Sequence, residues 1–190
     1  DLSSAVKASH YVCLGHGLGV QAARAETEKP IGVVLNFTPG RLETKTKINT
    51  EALERYEAVT NTWYLSAIIK GNYPDVALQE LEGYLPNSWK SDLQNIKEPI
   101  DFIGINYYTT VLLKSGGDKF PFVEIIERDL PKTDMGWDVE PAGLREAINL
   151  VSDYAPNLPL YITENGMASK NAIADIDRIE YYKQHLNEVA

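Results

Sequence analysis

Polar side chains follow three apolar segments of this 190-residue sequence. They are amides, phenols and one carboxylate: Asn36, Asn106, Tyr107, Tyr108, Glu164 and Asn165. Amides and phenols hydrogen-bond the hydroxyl groups of a neutral polyhydroxylated molecule, and an ionised carboxylate can act as a nucleophile. The set contains no cluster of cations, so it is unsuited to phosphate.

Each of these residues, taken alone, also has a purely structural explanation. Glu164 begins Glu-Asn-Gly, which is typical of a turn, and Asn36 also suits a turn. Asn36 begins a glycosylation sequon as well, but a buried strand end is a poor acceptor site. Tyr107 and Tyr108 are typical of core aromatics with a solvated hydroxyl, and Trp137 in "DMGWDVEP" fits loop packing. Only their combination favours a ligand site.

The three apolar segments are predicted to be strands. They are "IGVVLN" (31–36), "DFIGINYY" (101–108) and "PLYIT" (159–163), and the first reads as buried on both faces. The residues between these strands have helical spacing, which predicts helices at 2–26, 50–69, 74–83, 141–154 and from 179 onwards. Gly17 and Leu18 lie on the apolar side of the first helix, and the apolar side of the last consists of Ile179, Tyr182, Leu186 and Val189. This alternation implies parallel strands whose carboxyl ends form the ligand edge. A doubly wound sheet and part of a (β/α)8 barrel both fit.

Further predictions concern the segments between the strands. Asn49 or Thr50 is expected to cap the helix at 50–69, and Gly71 to end it. Residues 110–135 suggest a hairpin or a long excursion around "KSGGDK". The glycines of "GHGLG", at 15–19, favour a close helix contact over a phosphate loop.

Composition narrows the classes of partner. The net charge of −9, with acidic and basic residues interspersed, argues against nucleic acid. No apolar stretch approaches the roughly 20 residues of a membrane span. Cys13 is the only cysteine, so we expect a reducing, cytoplasmic location. His10, His16 and His185 lack metal-ligand spacing, so we predict no metal and no other cofactor.

Several blocks of the sequence together resemble glycoside hydrolase family 1, the family of retaining β-glucosidases. They are "KPIGVVLNFTP", "GNYP", "DFIGINYYT", "MGWDVEPAGL" and "YITENG", and "ASHYVCLGHGLGVQAAR" is similar to the helix that follows barrel strand four. The resemblance implies that 1–190 is a single segment of a (β/α)8 barrel carrying strands five to seven. Because the sequence begins at Asp1, we expect it to be a piece of a longer protein.

The resemblance also assigns roles to individual residues. It implies that Glu164 is the catalytic nucleophile and that Tyr108 orients it through a hydrogen bond. It places Asn106 beside the sugar subsite, and Asn36 and Trp137 near the aglycone. The implied substrate is a small β-glucoside or oligosaccharide.

The second carboxyl group of a retaining glycosidase is not evident in this sequence. Retention needs an acid/base about 5–5.5 Å from the nucleophile, and the family supplies it from an Asn-Glu-Pro after strand four. No Asn-Glu-Pro occurs here; Glu98 precedes a strand, and Glu140 precedes a helix. The resemblance implies that the longer parent protein supplies this group. We therefore expect the parent protein to hydrolyse β-glucosides by double displacement. The alternatives are an inactive chain that only binds or assembles, by self-association or complementation with missing strands, and a doubly wound binding domain.

Overall fold

The computed structural model describes residues 1–170 and 173–189. The helices are α1 (Leu2–Glu26), α2 (Lys47–Thr60), α3 (Trp63–Lys70), α4 (Asp75–Leu81), α5 (Trp89–Ile96), α6 (Ala142–Tyr154) and α7 (Ile176–Val189). The strands are β1 (Gly32–Phe37), β2 (Gly40–Leu42), β3 (Phe102–Tyr107), β4 (Val111–Ser115), β5 (Val123–Ile126) and β6 (Leu160–Asn165). Within these ranges no helix is long and apolar enough to cross a bilayer.

The three predicted strands form one parallel sheet in the order β1-β3-β6. In this register Asn36 lies beside Asn106, and Asn106 lies beside Glu164. The carboxyl ends of the three strands therefore meet at one edge of the sheet. This arrangement confirms that sequentially distant polar residues are brought together.

A second sheet extends beyond the carboxyl edge of the first. Its order is β2-β4-β5, with β2 parallel to β4 and β4 antiparallel to β5. The β4–β5 pair is the hairpin predicted at 110–135. The short strand β2, which runs beside β4, was not predicted.

Helices cover only one face of the parallel sheet. Phe37, Ile103 and Ile105 point to this side and are almost fully buried in the main hydrophobic core. The opposite face, which we call the inner face, is open: Val34 is 47% exposed and Tyr161 is 55% exposed. The prediction that β1 is buried on both faces is therefore wrong for the part of the chain that the structure describes, in which no helix or strand covers the inner face.

The single helix predicted at 50–69 is in fact two, α2 and α3, and its predicted cap is also wrong. The side chain of Thr46 caps α2 by accepting a hydrogen bond from the Asn49 amide. Asn61 ends α2 because its side chain accepts from the Thr38 amide (2.7 Å) and donates to the Thr38 carbonyl (3.1 Å). Gly71 ends α3 as predicted, with a left-handed φ of 70°.

The two outer helices α1 and α7 partly contradict the predicted buried faces. Gly17 makes the expected close contact, since a Cβ there would lie 1.9 Å from the Asn95 carbonyl oxygen, but Leu18 is exposed. The predicted apolar face of α7 is exposed as well: Ile179, Tyr182, Leu186 and Val189. Its buried residues are instead Tyr181 and His185.

Candidate active site

A hydrogen-bonded row of side chains crosses the inner face near the carboxyl edge of the sheet. The Thr163 hydroxyl donates to Oδ1 of Asn106 (2.7 Å), and Nδ2 of Asn106 donates to Oδ1 of Asn36 (2.9 Å). Asn106 is only 7% exposed, whereas Asn36 is exposed. The amide that meets solvent at this position is therefore that of Asn36.

A register shift determines the direction of the Glu164 side chain. Ile105 pairs with Ile162 and Asn106 pairs with Glu164, so Thr163 is an extra residue in β6. Strict alternation would direct Glu164 to the same side as Ile162, which packs in the helix-covered core. Because of the bulge, Thr163 and Glu164 both face the inner side.

The carboxylate of Glu164 accepts a hydrogen bond from the Tyr108 hydroxyl. This hydrogen bond, reinforced by partial burial and by the carboxylate charge, raises the pKa of Tyr108 to about 12. Tyr108 therefore remains a neutral phenol and a hydrogen-bond donor throughout the physiological pH range. The pair provides an oriented, exposed carboxylate of the kind that nucleophilic catalysis requires.

Two residues predicted to contribute to this edge face the helices instead. Tyr107 is fully buried, and its hydroxyl donates to the Glu140 carbonyl oxygen (2.5 Å). Burial raises the pKa of Tyr107. Nδ2 of Asn165 donates to the Tyr107 carbonyl (2.9 Å) and to the Tyr181 hydroxyl (3.0 Å). Both residues fix the backbone behind the site, because alternation turns them away from the inner face.

Trp137 lies beside the Tyr108–Glu164 pair. Its ring centroid is 5.7 Å from that of Tyr108, and the side chain is 40% exposed. The loop that carries it turns at Gly136, which has a φ of 79°. The Thr133 amide donates to the Trp137 carbonyl (2.8 Å), which closes the turn. An exposed indole next to an exposed carboxylate provides an apolar surface for a sugar or aryl ring.

An ion-pair network that the sequence analysis missed holds this loop. Nε of Arg128 lies 2.8 Å from Oδ2 of Asp138, and Nη1 lies 2.5 Å from Oε2 of Glu140. Burial alone would raise the pKa of Glu140, but hydrogen bonds from Thr110 and Arg128 and the charges of Arg41 and Arg128 together lower it. Arg128 thus joins the two acidic residues that follow Trp137, Asp138 and Glu140, to the body of the chain.

The other carboxylates considered for acid/base chemistry do not contact Glu164. Glu98 lies before β3 and accepts from Nε2 of Gln21 (2.6 Å), while Glu140 is held by the arginine network. Among the described residues, no group of three or more His, Cys, Asp or Glu side chains is arranged to hold a metal ion. His10 packs instead against Tyr73, 2.8 Å from its hydroxyl.

Two small features of the inner face were also missed. The apolar pattern of "PLYIT" places Thr163 in a strand, and its hydroxyl directly before Glu164 is the signal in the sequence for a polar role. Gly104 leaves the space that Thr163 occupies, because a Cβ there would lie 2.7 Å from Cγ2 and 2.8 Å from Oγ1 of Thr163. An isolated glycine in a strand is a general signal of such close approach.

Comparison with protein families gives a match over the whole chain. The model of Glycosyl hydrolase family 1 matches residues 1–190. Beta-glucosidase A of Thermotoga maritima is 34% identical, over 99% of this chain and 44% of that protein. A bifunctional beta-D-glucosidase/beta-D-fucosidase of Bifidobacterium breve is 32% identical, over 97% of this chain and 45% of that protein.

Solved structures give the same result. A family 1 β-glucosidase from Thermotoga maritima superposes with a TM-score of 0.93 at 32% identity, over 100% of this chain and 44% of that chain. A Thermotoga maritima β-glucosidase in complex with deoxynojirimycin also gives a TM-score of 0.93, at 33% identity and the same coverage. The chain thus spans less than half the length of these relatives.

Proposed function

The chain belongs to glycosyl hydrolase family 1, and from this premise we propose that the whole protein is a retaining β-glucosidase with Glu164 as its nucleophile. Its three parallel strands and flanking helices are part of a (β/α)8 barrel, without closure of the sheet. The observation that carries the proposal is the Tyr108–Glu164 hydrogen bond at the carboxyl edge of these strands. In such barrels catalytic residues come from this edge.

In the proposed mechanism, Glu164 attacks the anomeric carbon of a terminal β-D-glucoside. The bond from that carbon to the aglycone oxygen breaks, and a carboxylic acid outside this chain protonates the leaving oxygen. Water then attacks the glycosyl-enzyme intermediate, the same group takes the water proton, and Glu164 leaves as a carboxylate. Tyr108 stabilises and aims the carboxylate before the attack and after its release.

The substrate we propose is a small β-glucoside or oligosaccharide. Deoxynojirimycin and glucoimidazole, which are bound in structures of the Thermotoga maritima enzyme, are small polar molecules consistent with a sugar site. The Asn36 amide offers a polar contact and the Trp137 indole an apolar contact at the same edge of the sheet as Glu164. We propose that Trp137 and Asn36 contact the aglycone and that Asn106 lies behind the sugar subsite.

We also propose that these 190 residues work as one segment of a complete barrel. Within the described residues, β1 and β6 each pair with β3 and have a free edge, and such edges recruit further strands. Exposed apolar side chains lie near these edges: Val34 and Tyr161 on the inner face, and Leu186 on α7. The remaining strands come from the same protein or from a complementing or second copy. The single, buried Cys13 supports a cytoplasmic location.

Trapping of the intermediate tests the assignment of the nucleophile. An active preparation treated with a 2-deoxy-2-fluoro glucoside should be inactivated with one label per site, and peptide mapping should find the label on Glu164. Glu164→Gln should abolish both turnover and labelling, while Glu98→Gln should leave both intact. A label on any other residue excludes the proposed role of Glu164.

The second candidate function is that the isolated chain only binds or assembles. The observation that favours it is that Glu98 and Glu140, considered as partners, are engaged elsewhere. Aryl β-glucoside turnover by the purified chain decides the question. Turnover that disappears in Glu164→Gln rules out the inactive chain, and its absence, restored by adding the remaining barrel strands, supports complementation.

A further inference from the structure

The hydrogen bonds of the row on the inner face all run in one direction, from Thr163 through Asn106 to Asn36. Thr163 is a donor to Oδ1 of Asn106, and this leaves Nδ2 of Asn106 to face Asn36. Nδ2 can only donate, so Oδ1 of Asn36 is the atom that accepts. The Nδ2 group of Asn36, with its N–H donors, is then the end of the amide left for a ligand.

Thr163 is well placed to set this direction. It is the extra residue of the β6 bulge, so its side chain shares the inner face with Glu164 instead of alternating away from it. Its methyl and hydroxyl groups occupy the space left by the missing side chain of Gly104. Thr163 is exposed to solvent on its other side, so its rotamer is restricted by the close contact with Gly104 and by the hydrogen bond to Asn106.

Asn106 transmits this constraint and has little contact with solvent. It is 7% exposed, and both ends of its amide are bound by protein groups. A buried amide keeps the orientation that satisfies its partners, because leaving either end unpaired is costly. Without the Thr163 hydroxyl, the Asn106 amide and hence the Asn36 amide can rotate.

We propose that Thr163 is a positioning residue that acts through Asn106 to present the Nδ2 group of Asn36 as a hydrogen-bond donor to an oxygen of the glycoside. The inference rests on the proposed function, because it requires a substrate against the inner face. Its consequence is a preference for substrates that place an acceptor oxygen, either a hydroxyl or the glycosidic oxygen, near Asn36. An alkyl or thio substitution at that oxygen should be tolerated poorly.

A double-mutant cycle in the full-length protein that carries this chain tests the proposal. Thr163→Val should raise KM about fivefold to tenfold, the usual effect of one lost hydrogen bond, with kcat within about twofold. Thr163→Ser should restore KM. In an Asn36→Ala background, Thr163→Val should have no further effect on KM.

Several outcomes would overturn the proposal. One is that Thr163→Val raises KM equally in the wild-type and Asn36→Ala backgrounds, and another is that it lowers kcat alone. Either result would mean that Thr163 acts on Glu164 or on the strand instead. Failure of Thr163→Ser to rescue KM would have the same meaning. If Thr163→Val does not fold, Asn106→Ala replaces it in the cycle, and its KM effect must likewise vanish in Asn36→Ala.

Labelling separates this proposal from the proposed function. With the 2-deoxy-2-fluoro glucoside, Thr163→Val should still be labelled on Glu164. If Glu164 is labelled but the effects of Thr163→Val and Asn36→Ala on KM are additive, only the positioning role of Thr163 is refuted. Labelling elsewhere refutes the proposed nucleophile and, with it, the inference that rests on it.

Discussion

The Tyr108 hydroxyl donates a hydrogen bond to Oε2 of Glu164 across the β3–β6 pair. The two residues are separated by 56 positions in the sequence, and the bulge at Thr163 is what turns the carboxylate toward the phenol. The relationship therefore depends on strand register as much as on residue type. It bears directly on the proposed role of Glu164 as nucleophile.

Removal of the Tyr108 hydroxyl should slow formation of the glycosyl-enzyme. We expect Tyr108→Phe to lower kcat/KM about tenfold to hundredfold, since hydrogen bonds to charged groups contribute roughly 1.5–3 kcal/mol. The measurement is the rate of inactivation by a 2-deoxy-2-fluoro glucoside. Tyr161→Phe, on the same strand face but lower in the sheet, is the control and should change this rate less than twofold. Equal rates in the two variants would contradict a role for the Tyr108 hydroxyl.

The space over Gly104 should be essential to the site. Gly104→Ala places a Cβ 2.7 Å from Cγ2 of Thr163 and 2.8 Å from Cγ2 of Val34. We expect a loss of about 1–3 kcal/mol in the free energy of unfolding from overpacking, with a fall in kcat/KM as Thr163 moves. Gly83→Ala meets no atom within 4 Å and is the control. Denaturant unfolding and steady-state kinetics measure the two effects, and an unchanged stability in Gly104→Ala would show that the inner face is loosely packed.

The glycines of α1 should separate into one structural and two replaceable positions. Gly17→Ala drives a Cβ into the backbone of Asn95 and Ile96, so it should destabilise the chain by about 1–3 kcal/mol. Gly15→Ala and Gly19→Ala meet no atom within 4 Å, and each should stabilise the helix by up to about 1 kcal/mol. Thermal unfolding of the three variants tests this order. Destabilisation by all three would show that the whole stretch packs closely.

The sequence was sufficient to predict the three parallel strands and the edge at which their polar residues meet. Continuous apolar runs ending in Asn36, Asn106 and Glu164 are a strong local signal, and the helices between them leave parallel pairing as the simple solution. The α5 helix, which was not predicted, also has a signal in the sequence, since Trp89, Leu93 and Ile96 follow helical spacing.

The details that were wrong depend on tertiary contacts. Residues 50–69 form an uninterrupted helical pattern, and the break falls where the Asn61 side chain hydrogen-bonds the backbone of Thr38. Tyr107 and Tyr108 are identical side chains in consecutive positions, so alternation alone decides which one faces Glu164. The bulge at Thr163 has no composition signature, because it is a property of pairing with β3.

Alkaline pH should destabilise the folded chain. Burial, the largest cause at Tyr56 and Tyr181, raises the pKa of each to about 12, and the hydrogen bond to Glu164 raises that of Tyr108 to about 12. In the unfolded chain a tyrosine titrates near about pH 10. The folded state therefore binds more protons between these values, and its stability is fully present below about pH 10 and falls as the pH rises toward 12.

Unfolding monitored from pH 8 to 12 measures this dependence. Tyr56→Phe and Tyr181→Phe should each make the loss of stability above about pH 10 less steep, because each removes one proton difference. Tyr11→Phe, at a residue that is 54% exposed, is the control and should leave the slope unchanged. Stability that is constant up to pH 12 would contradict the burial of these phenols.

Arg128 should hold the Trp137 loop in place. Its side chain is 12% exposed and neutralises Asp138 and Glu140, which both follow the tryptophan in the sequence. Arg128→Met leaves these carboxylates with fewer partners, so we expect a loss of about 3–5 kcal/mol, the usual effect of breaking a buried ion pair from one side. The 128–139 segment should also become sensitive to limited proteolysis. KM for aryl β-glucosides should rise as Trp137 loses its position beside Tyr108.

A surface arginine provides the matched control for this last change. Arg145 pairs with Glu188 at 2.8 Å, but its side chain is 52% exposed. Because exposed pairs contribute about 0–1 kcal/mol, Arg145→Met should leave stability, proteolysis and KM almost unchanged. Arg128→Lys separates charge from geometry: one ammonium cannot reproduce the forked contacts to Asp138 and Glu140, so it should restore stability only in part. If Arg128→Met behaves like Arg145→Met, the loop is held by its backbone turn at Gly136, and the ion pairs do not stabilise it.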